Sequence, residues 1–123
     1  MNGVSSSQFS IIKIKLSDKS KFEVISMNIT TPDWVQDAIF YQIFPDRFAN
    51  GDETNDPPNV LEWNTPPRIH GYHGGDLRGI LQHMDYLLDL GINAIYLNPI
   101  FLSPSTHRYN TVDYYQIDPK LGT

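Results

Sequence analysis

DLRGILQHMDYLLDLGINAIYLN, residues 76–98, joins a helix pattern directly to a strand pattern. Leu77, Ile80, Leu81, Met84, Leu87 and Leu88 recur at the i, i+3, i+4, i+7 spacing of one apolar helix face. Asp76 is a suitable N-cap, because its short carboxylate can accept the free N–H groups of a first turn. Gly91 suits the position just past the helix end, where left-handed backbone is common. One helix over residues 76–90 is therefore expected. Ala94 to Asn98, AIYLN, follows as a strand. Upstream, AIFYQIF at residues 38–44 is a near-continuous apolar run, the pattern of a parallel strand buried on both faces. Pro45 ends it, since proline has no N–H to donate to a ladder. Ala49 to Tyr72, rich in Asn, Asp, Gly and Pro, reads as a long loop, and loops of that length are usually functional. Strand, loop, helix and strand make one βαβ unit, so the fold class is α/β.

Composition narrows the function. The chain has 123 residues, 40% apolar and 19% charged, as expected of an ordinary globular protein. The net charge is −5 and basic residues never cluster beyond neighbouring pairs, so neither nucleic acid nor an anionic membrane is an expected partner. There is no cysteine, hence neither a disulfide nor thiolate chemistry. No window holds an apolar run long enough to span a bilayer. Lys13 and Lys15 interrupt Ile11, Ile12, Ile14 and Leu16, so the N-terminus does not read as a signal peptide and a cytoplasmic address is expected. Met1 to Ser10 reads as a disordered, serine-rich lead. Residues 11–29 alternate about the polar turn SDKS and read as a short β-hairpin. Thr30 to Asp33 reads as a linker.

Two segments carry candidate chemistry. Asn50, Asp52, Asn55 and Asp56 set four oxygen-bearing side chains within seven residues, and Gly51 and Pro57 favour a tight turn there. Asp76 can add a third carboxylate, and Gly74 a main-chain carbonyl. Oxygen donors alone suit Ca²⁺, which takes about six to eight of them. A solvated polar turn explains the same loop without a metal. The second segment, IFLSPSTHRYNTVDYYQIDP at residues 100–119, follows the second strand. Taken by itself, Tyr109 reads there as a packing aromatic and His107 as a surface histidine. Arg47 reads as a structural ion-pair partner, Tyr41 as core, His70 and His73 as loop residues rather than a metal pair, and Trp63 as a cover for one end of the fold. Asp113, Tyr114 and Asp118 read as a turn and a strand lead-in.

FYQIFPDRFANGDETNDP at residues 40–57, HGGDLRGI at 73–80 and LGINAIYLNPIFLSPSTHRYNTVDYYQIDP at 90–119 recur in order as long, unusual words. Together they resemble the opening of the catalytic barrel in the α-amylase superfamily, glycoside hydrolase family 13. The nearest likeness is to its neopullulanase, cyclomaltodextrinase and maltogenic amylase branch, from about Trp34 to Thr123. The resemblance implies the first βα units of a (β/α)₈ barrel, incomplete, since a whole barrel takes ~250 residues. Residues 1–33 would form a hairpin-like N-terminal segment and linker, and residues 34–123 the barrel part. It implies calcium held by Asn50, Asp52, Asn55, Asp56, Gly74 and Asp76. It also implies that Tyr109 packs on the sugar ring being cleaved, with His107 at the same subsite.

The parent activity implied is retaining hydrolysis of α-glucosidic bonds in maltodextrins, cyclodextrins or pullulan. Relatives read Y-D-T where this chain has Tyr109-Asn110-Thr111, which removes a carboxylate. The family's nucleophile, acid/base Glu and Asp-x-x-x-Asn-His word have no counterpart here. A retaining glycosidase needs a pair of carboxyl groups flanking the bond. The chain alone is therefore expected to be inactive, as a fragment of such an enzyme. A non-catalytic calcium- or glucan-binding remnant is the alternative.

Overall fold

The computed structural model describes residues 9–18 and 21–122, in two compact units, 1–38 and 39–123. In the first unit, strands β1 (Phe9–Asp18) and β2 (Lys21–Ile29) pair antiparallel, with Ile14 opposite Val24 and Leu16 opposite Phe22. The ladder shifts register between Leu16 and Asp18, at the start of the expected turn. Phe9 and Ser10 lie in β1 rather than in a disordered lead. The rest of that lead, residues 1–8, and Lys19 and Ser20 of the turn lie outside the described residues. A short helix, α1 (Asp33–Gln36), follows Pro32.

The second unit is built on two parallel strands, β3 (Phe40–Ile43) and β4 (Ala94–Leu97), in the register Phe40 opposite Ala94 through Ile43 opposite Leu97. Asparagines fix both ends of this pair. The Ile39 N–H donates to Asn93 Oδ1 at 2.6 Å, and Gln42 Nε2 donates to Asn98 Oδ1 at 2.7 Å. Ile43 is fully buried, whereas Phe40 and Tyr96 remain about half exposed. The expected burial on both faces therefore holds for one face only, the one that the helices cover.

The expected single helix is two: α2 (Leu77–Gln82) and α3 (Met84–Asp89). His83 separates them with φ −107° and ψ 18°. Its Nδ1 lies 2.8 Å from the Gly79 carbonyl, so a ring nitrogen stands where the ladder would use a backbone N–H. The buried stripe is narrower than the apolar one. Ile80 and Leu87 are buried, with Leu77 and Met84 beside them, but Leu81 and Leu88 are exposed. Ile43, Ile80 and Leu87 form the core, flanked by Tyr41, Phe48, Ile92, Ile95 and Leu97. Both expected caps form. Asp76 accepts the Gly79 N–H at 2.6 Å. Gly91, at φ 83°, donates to the Leu88 carbonyl while Ile92 donates to Leu87, the paired bonds of a left-handed helix stop.

After β4 the chain does not run on as a plain loop. Strands β5 (Phe101–Leu102) and β6 (Asp113–Ile117) pair antiparallel and frame residues 103–112 as a hairpin tip. Among the described residues no helix is long and apolar enough to cross a membrane.

Candidate functional site

Both candidate segments leave from the C-terminal ends of the parallel strands, the end where α/β folds place their sites. The first is the loop over residues 50–56. Asp76 organises it from the start of α2. Its Oδ1 accepts the N–H groups of Gly51 (3.1 Å) and Gly79, and its Oδ2 accepts Asp52 N–H (2.8 Å) and Asn55 Nδ2 (3.1 Å). One carboxylate thus caps the helix and clamps the loop to it. Asn50 donates to both oxygens of Asp56 and accepts from Asp52 N–H. Asp52 Oδ1 accepts both the N–H and the hydroxyl of Thr54, and these bonds hold its carboxyl below the ordinary range. Burial pushes the Asp56 carboxyl up, and the nearby charges of Glu53, Asp76 and Asp46 add to this. Gly74 sits at φ 80°, and a Cβ there would collide with Asp56 Oδ1. Only glycine lets the backbone come this close to the loop's carboxylate.

The donors can be judged against a hard cation. Asn55 Oδ1 is buried without a hydrogen-bond partner, an oxygen acceptor left with nothing to accept. Asp56 is raised by neighbouring negative charges as well as by burial. Both features fit Ca²⁺, which needs oxygen ligands and offsets crowded carboxylates. Among the described residues no three His, Cys, Asp or Glu side chains stand together as a metal group. The donor set therefore depends on amide and main-chain oxygens as well as carboxylates.

The second segment is the hairpin tip. His107 and Tyr109 are both exposed, with ring centroids 5.9 Å apart and planes 30° apart. The Tyr109 N–H donates to His107 Nδ1 at 3.1 Å. An accepting Nδ1 places the proton of a neutral imidazole on Nε2, so that N–H is offered at the outer edge of the ring. Asn110, where relatives carry a carboxylate, ties the tip together, because its Oδ1 accepts from the hydroxyls of Ser103 (2.8 Å) and Ser105.

Arg108, between the two rings, is fully buried at φ 58°. Left-handed backbone costs a non-glycine residue roughly 1–2 kcal/mol. Arg108 Nε meets Asp118 Oδ2 at 2.7 Å, and its Nη1 donates to the Thr106 carbonyl at 2.9 Å. Tyr72 presents its ring to the guanidinium at 5.9 Å. Arg108 is not among the residues that the sequence marks, and Asp118 reads there only as part of a turn and a strand lead-in. A basic residue ten positions from an acidic one carries no local signal for a pair that only the hairpin brings together.

The long loop joins the same region. Asp46 is buried, its two oxygens accept the His73 N–H, and burial raises its carboxyl despite the nearby Arg47 and Arg108. Arg47 Nε lies 2.9 Å from Asp46 Oδ2, and its Nη2 donates to the Gly71 carbonyl at 2.7 Å. His73 is buried between Arg47 and the Thr65 carbonyl, with the Trp63 ring edge-on at 6.0 Å. Trp63 itself is 44% exposed.

Residues 42–123 match the family model described as the α-amylase catalytic domain. The chain belongs to the α-amylase family. A cyclomaltodextrinase of Thermoanaerobacter pseudethanolicus is 60% identical over 91 residues, which is 74% of this chain and 16% of the relative. An intracellular maltogenic amylase of Bacillus subtilis is 53% identical over 92 residues, with the same shares. The solved cyclic α-maltosyl-(1→6)-maltose hydrolase from Arthrobacter globiformis, in complex with maltose, superposes with a TM-score of 0.73 at 53% identity. That match covers 75% of this chain and 21% of the solved one. Its relatives include a cyclomaltodextrinase, a maltogenic α-amylase and a neopullulanase, the branch that the sequence words pointed to. The chain spans 16% of the length of the curated relatives it matches first.

Proposed function

We propose that this chain supplies the first βα units of a family 13 barrel and, within them, one wall of a sugar-binding cleft. The exposed His107–Tyr109 ring pair beyond the C-terminal end of β4 carries this reading. The Tyr109 face suits the apolar face of a glucose ring, and the His107 Nε2–H suits a sugar hydroxyl. Maltose bound in the Arthrobacter hydrolase supports a maltooligosaccharide as the ligand class. The reaction served is retaining hydrolysis of α-glucosidic bonds in maltodextrins, cyclodextrins or pullulan. Its nucleophile and acid/base have no counterpart in these residues, so the chain alone binds without cleaving. Asn50, Asp52, Asn55, Asp56, Gly74 and Asp76 would hold Ca²⁺. That ion would supply positive charge to pin the 50–56 loop onto α2, a structural role away from the reacting bond. The relative named as intracellular supports a cytoplasmic address.

The test is nuclear magnetic resonance titration of the chain with maltotriose. Resonances of the Tyr109 ring should move, and Tyr109→Ala should weaken binding roughly ten-fold, about 1.4 kcal/mol. Tyr109→Phe should cost less, since the ring face is retained. Equal affinity in wild type and Tyr109→Ala would remove this residue from the cleft.

A further inference from the structure

His107, Arg108 and Tyr109 are consecutive, yet the outer two are exposed and the middle one is fully buried. The backbone at Arg108 takes the left-handed conformation that brings the flanking rings side by side. Little else aligns those rings. One bond joins them, from Tyr109 N–H to His107 Nδ1, and Ser105 Oγ lies 3.3 Å from the same nitrogen. The anchoring lies beneath, at Arg108. Two of its nitrogens reach Asp118 and the Thr106 carbonyl, and Tyr72 covers the guanidinium. Thr111 Oγ1 donates to the Arg108 carbonyl at 3.1 Å, which fixes the turn on its far side. Asp118 is itself tied to the other hairpin stem, because its N–H donates to the Ile100 carbonyl at 2.9 Å. Its second oxygen accepts the Lys120 N–H at 3.1 Å, and Lys120 Nζ stands 3.5 Å away. The guanidinium therefore links the hairpin tip to the base of both stems.

We propose that Arg108 is the positioning residue of the sugar platform: locked onto Asp118 and Thr106, it holds the backbone so that His107 and Tyr109 present adjacent rings to solvent. The inference rests on the reading of those rings as a glucan contact, and it adds the part that sets their geometry. An unlocked residue 108 relaxes from the left-handed region to ordinary backbone. The rings then separate, and His107 Nδ1 is left without its N–H donor.

The test uses the full chain with ring-labelled His and Tyr. It reads the Overhauser effect between the His107 and Tyr109 rings, the His107 nitrogen shifts and maltotriose affinity. Arg108→Gln should abolish the ring-to-ring Overhauser effect and weaken maltotriose roughly ten-fold while the β3–β4 pairing persists. Arg108→Lys, which retains a charge for Asp118, should restore the effect and bring affinity to within roughly three-fold of wild type. Rings that stay adjacent in Arg108→Gln overturn the proposal. If Arg108→Gln also disrupts the β3–β4 pairing, Asp118→Asn decides. Rings that separate in Asp118→Asn over intact strands support the proposal; rings still adjacent, or strands also disrupted, overturn it. A chain whose rings respond to Arg108 but which binds no maltotriose refutes the sugar reading and leaves the positioning role standing.

Discussion

Replacing Asp76 by alanine tests how the loop and helix are joined. Asp76 is fully buried, and its carboxylate accepts four N–H donors from Gly51, Asp52, Asn55 and Gly79. Loss of the helix cap alone costs about 1 kcal/mol. Each of the other bonds to a charged acceptor contributes about 1.5–3 kcal/mol. The donors on Gly51, Asp52 and Asn55 are only partly buried and recover water when the loop opens, so the sum is not additive. A net loss of about 3–5 kcal/mol follows, a large share of the roughly 5–15 kcal/mol that holds a domain folded. Asp76→Asn separates the two roles. Its amide oxygen still serves Gly79 and Gly51, but its NH₂ faces the donors of Asp52 and Asn55. That variant should fall between wild type and Asp76→Ala. Urea unfolding followed by far-ultraviolet dichroism measures the order, with slopes of about 1–3 kcal/mol/M converting midpoints to energies. If Asp76→Ala falls short of wild type by less than about 1 kcal/mol, the residue is a simple helix cap and the clamp argument is wrong.

Three further outcomes are expected. Calorimetric titration with Ca²⁺ should show a single binding event that disappears when Asp52→Ala and Asp76→Ala are combined; heat unchanged in the double variant places the cation elsewhere. Burial raises the Asp46 carboxyl, so the unfolded chain sheds this proton first as pH rises. The cost of Asp46 to stability should therefore grow from about pH 4 up to its raised folded value, and Asp46→Asn should flatten that slope in urea midpoints taken across the range. Gly91→Ala should cost about 1–2 kcal/mol from backbone strain alone, because φ is 83° and an added Cβ meets nothing within 4 Å. A much larger loss in thermal melts would mean that Gly91 packs more closely than its open surroundings suggest.

Much of the second unit was legible because its signals are local. Asp76 and Gly91 announce a helix start and stop through their own conformational preferences, and both caps form. The parallel pairing follows from two apolar runs on either side of a helical pattern. What escaped depends on partners that only the fold supplies. His83 breaks the helix because its ring reaches the Gly79 carbonyl, and no periodicity encodes that reach. Leu81 and Leu88 fit the apolar spacing but fall outside the buried stripe. Asn93 and Asn98 carry no signal beyond that of turn residues, yet they fasten the ends of the strand pair. At the candidate site, the words around His107 and Tyr109 marked the exposed rings. The buried Arg108–Asp118 pair beneath them needs the β5–β6 hairpin, whose two-residue first strand is too short to show a period.

The pairing of β3 with β4 has a consequence for synthesis. Ile39 is fastened to a residue 54 positions later, so β3 emerges from the ribosome long before its partner exists. At about 5–20 residues per second, that interval is roughly 3–10 s. Neither helix offers shelter in the meantime, since α2 and α3 have six residues each and isolated helices shorter than about 12 residues are marginal in water. The nascent segment Phe40-Tyr41-Gln42-Ile43 thus spends those seconds as an apolar edge without a neighbour, open to pairing with another nascent chain. A slow message or a scarcity of chaperone lengthens that wait, which makes the yield of folded protein depend on the tempo of translation as well as on the stability of the final structure.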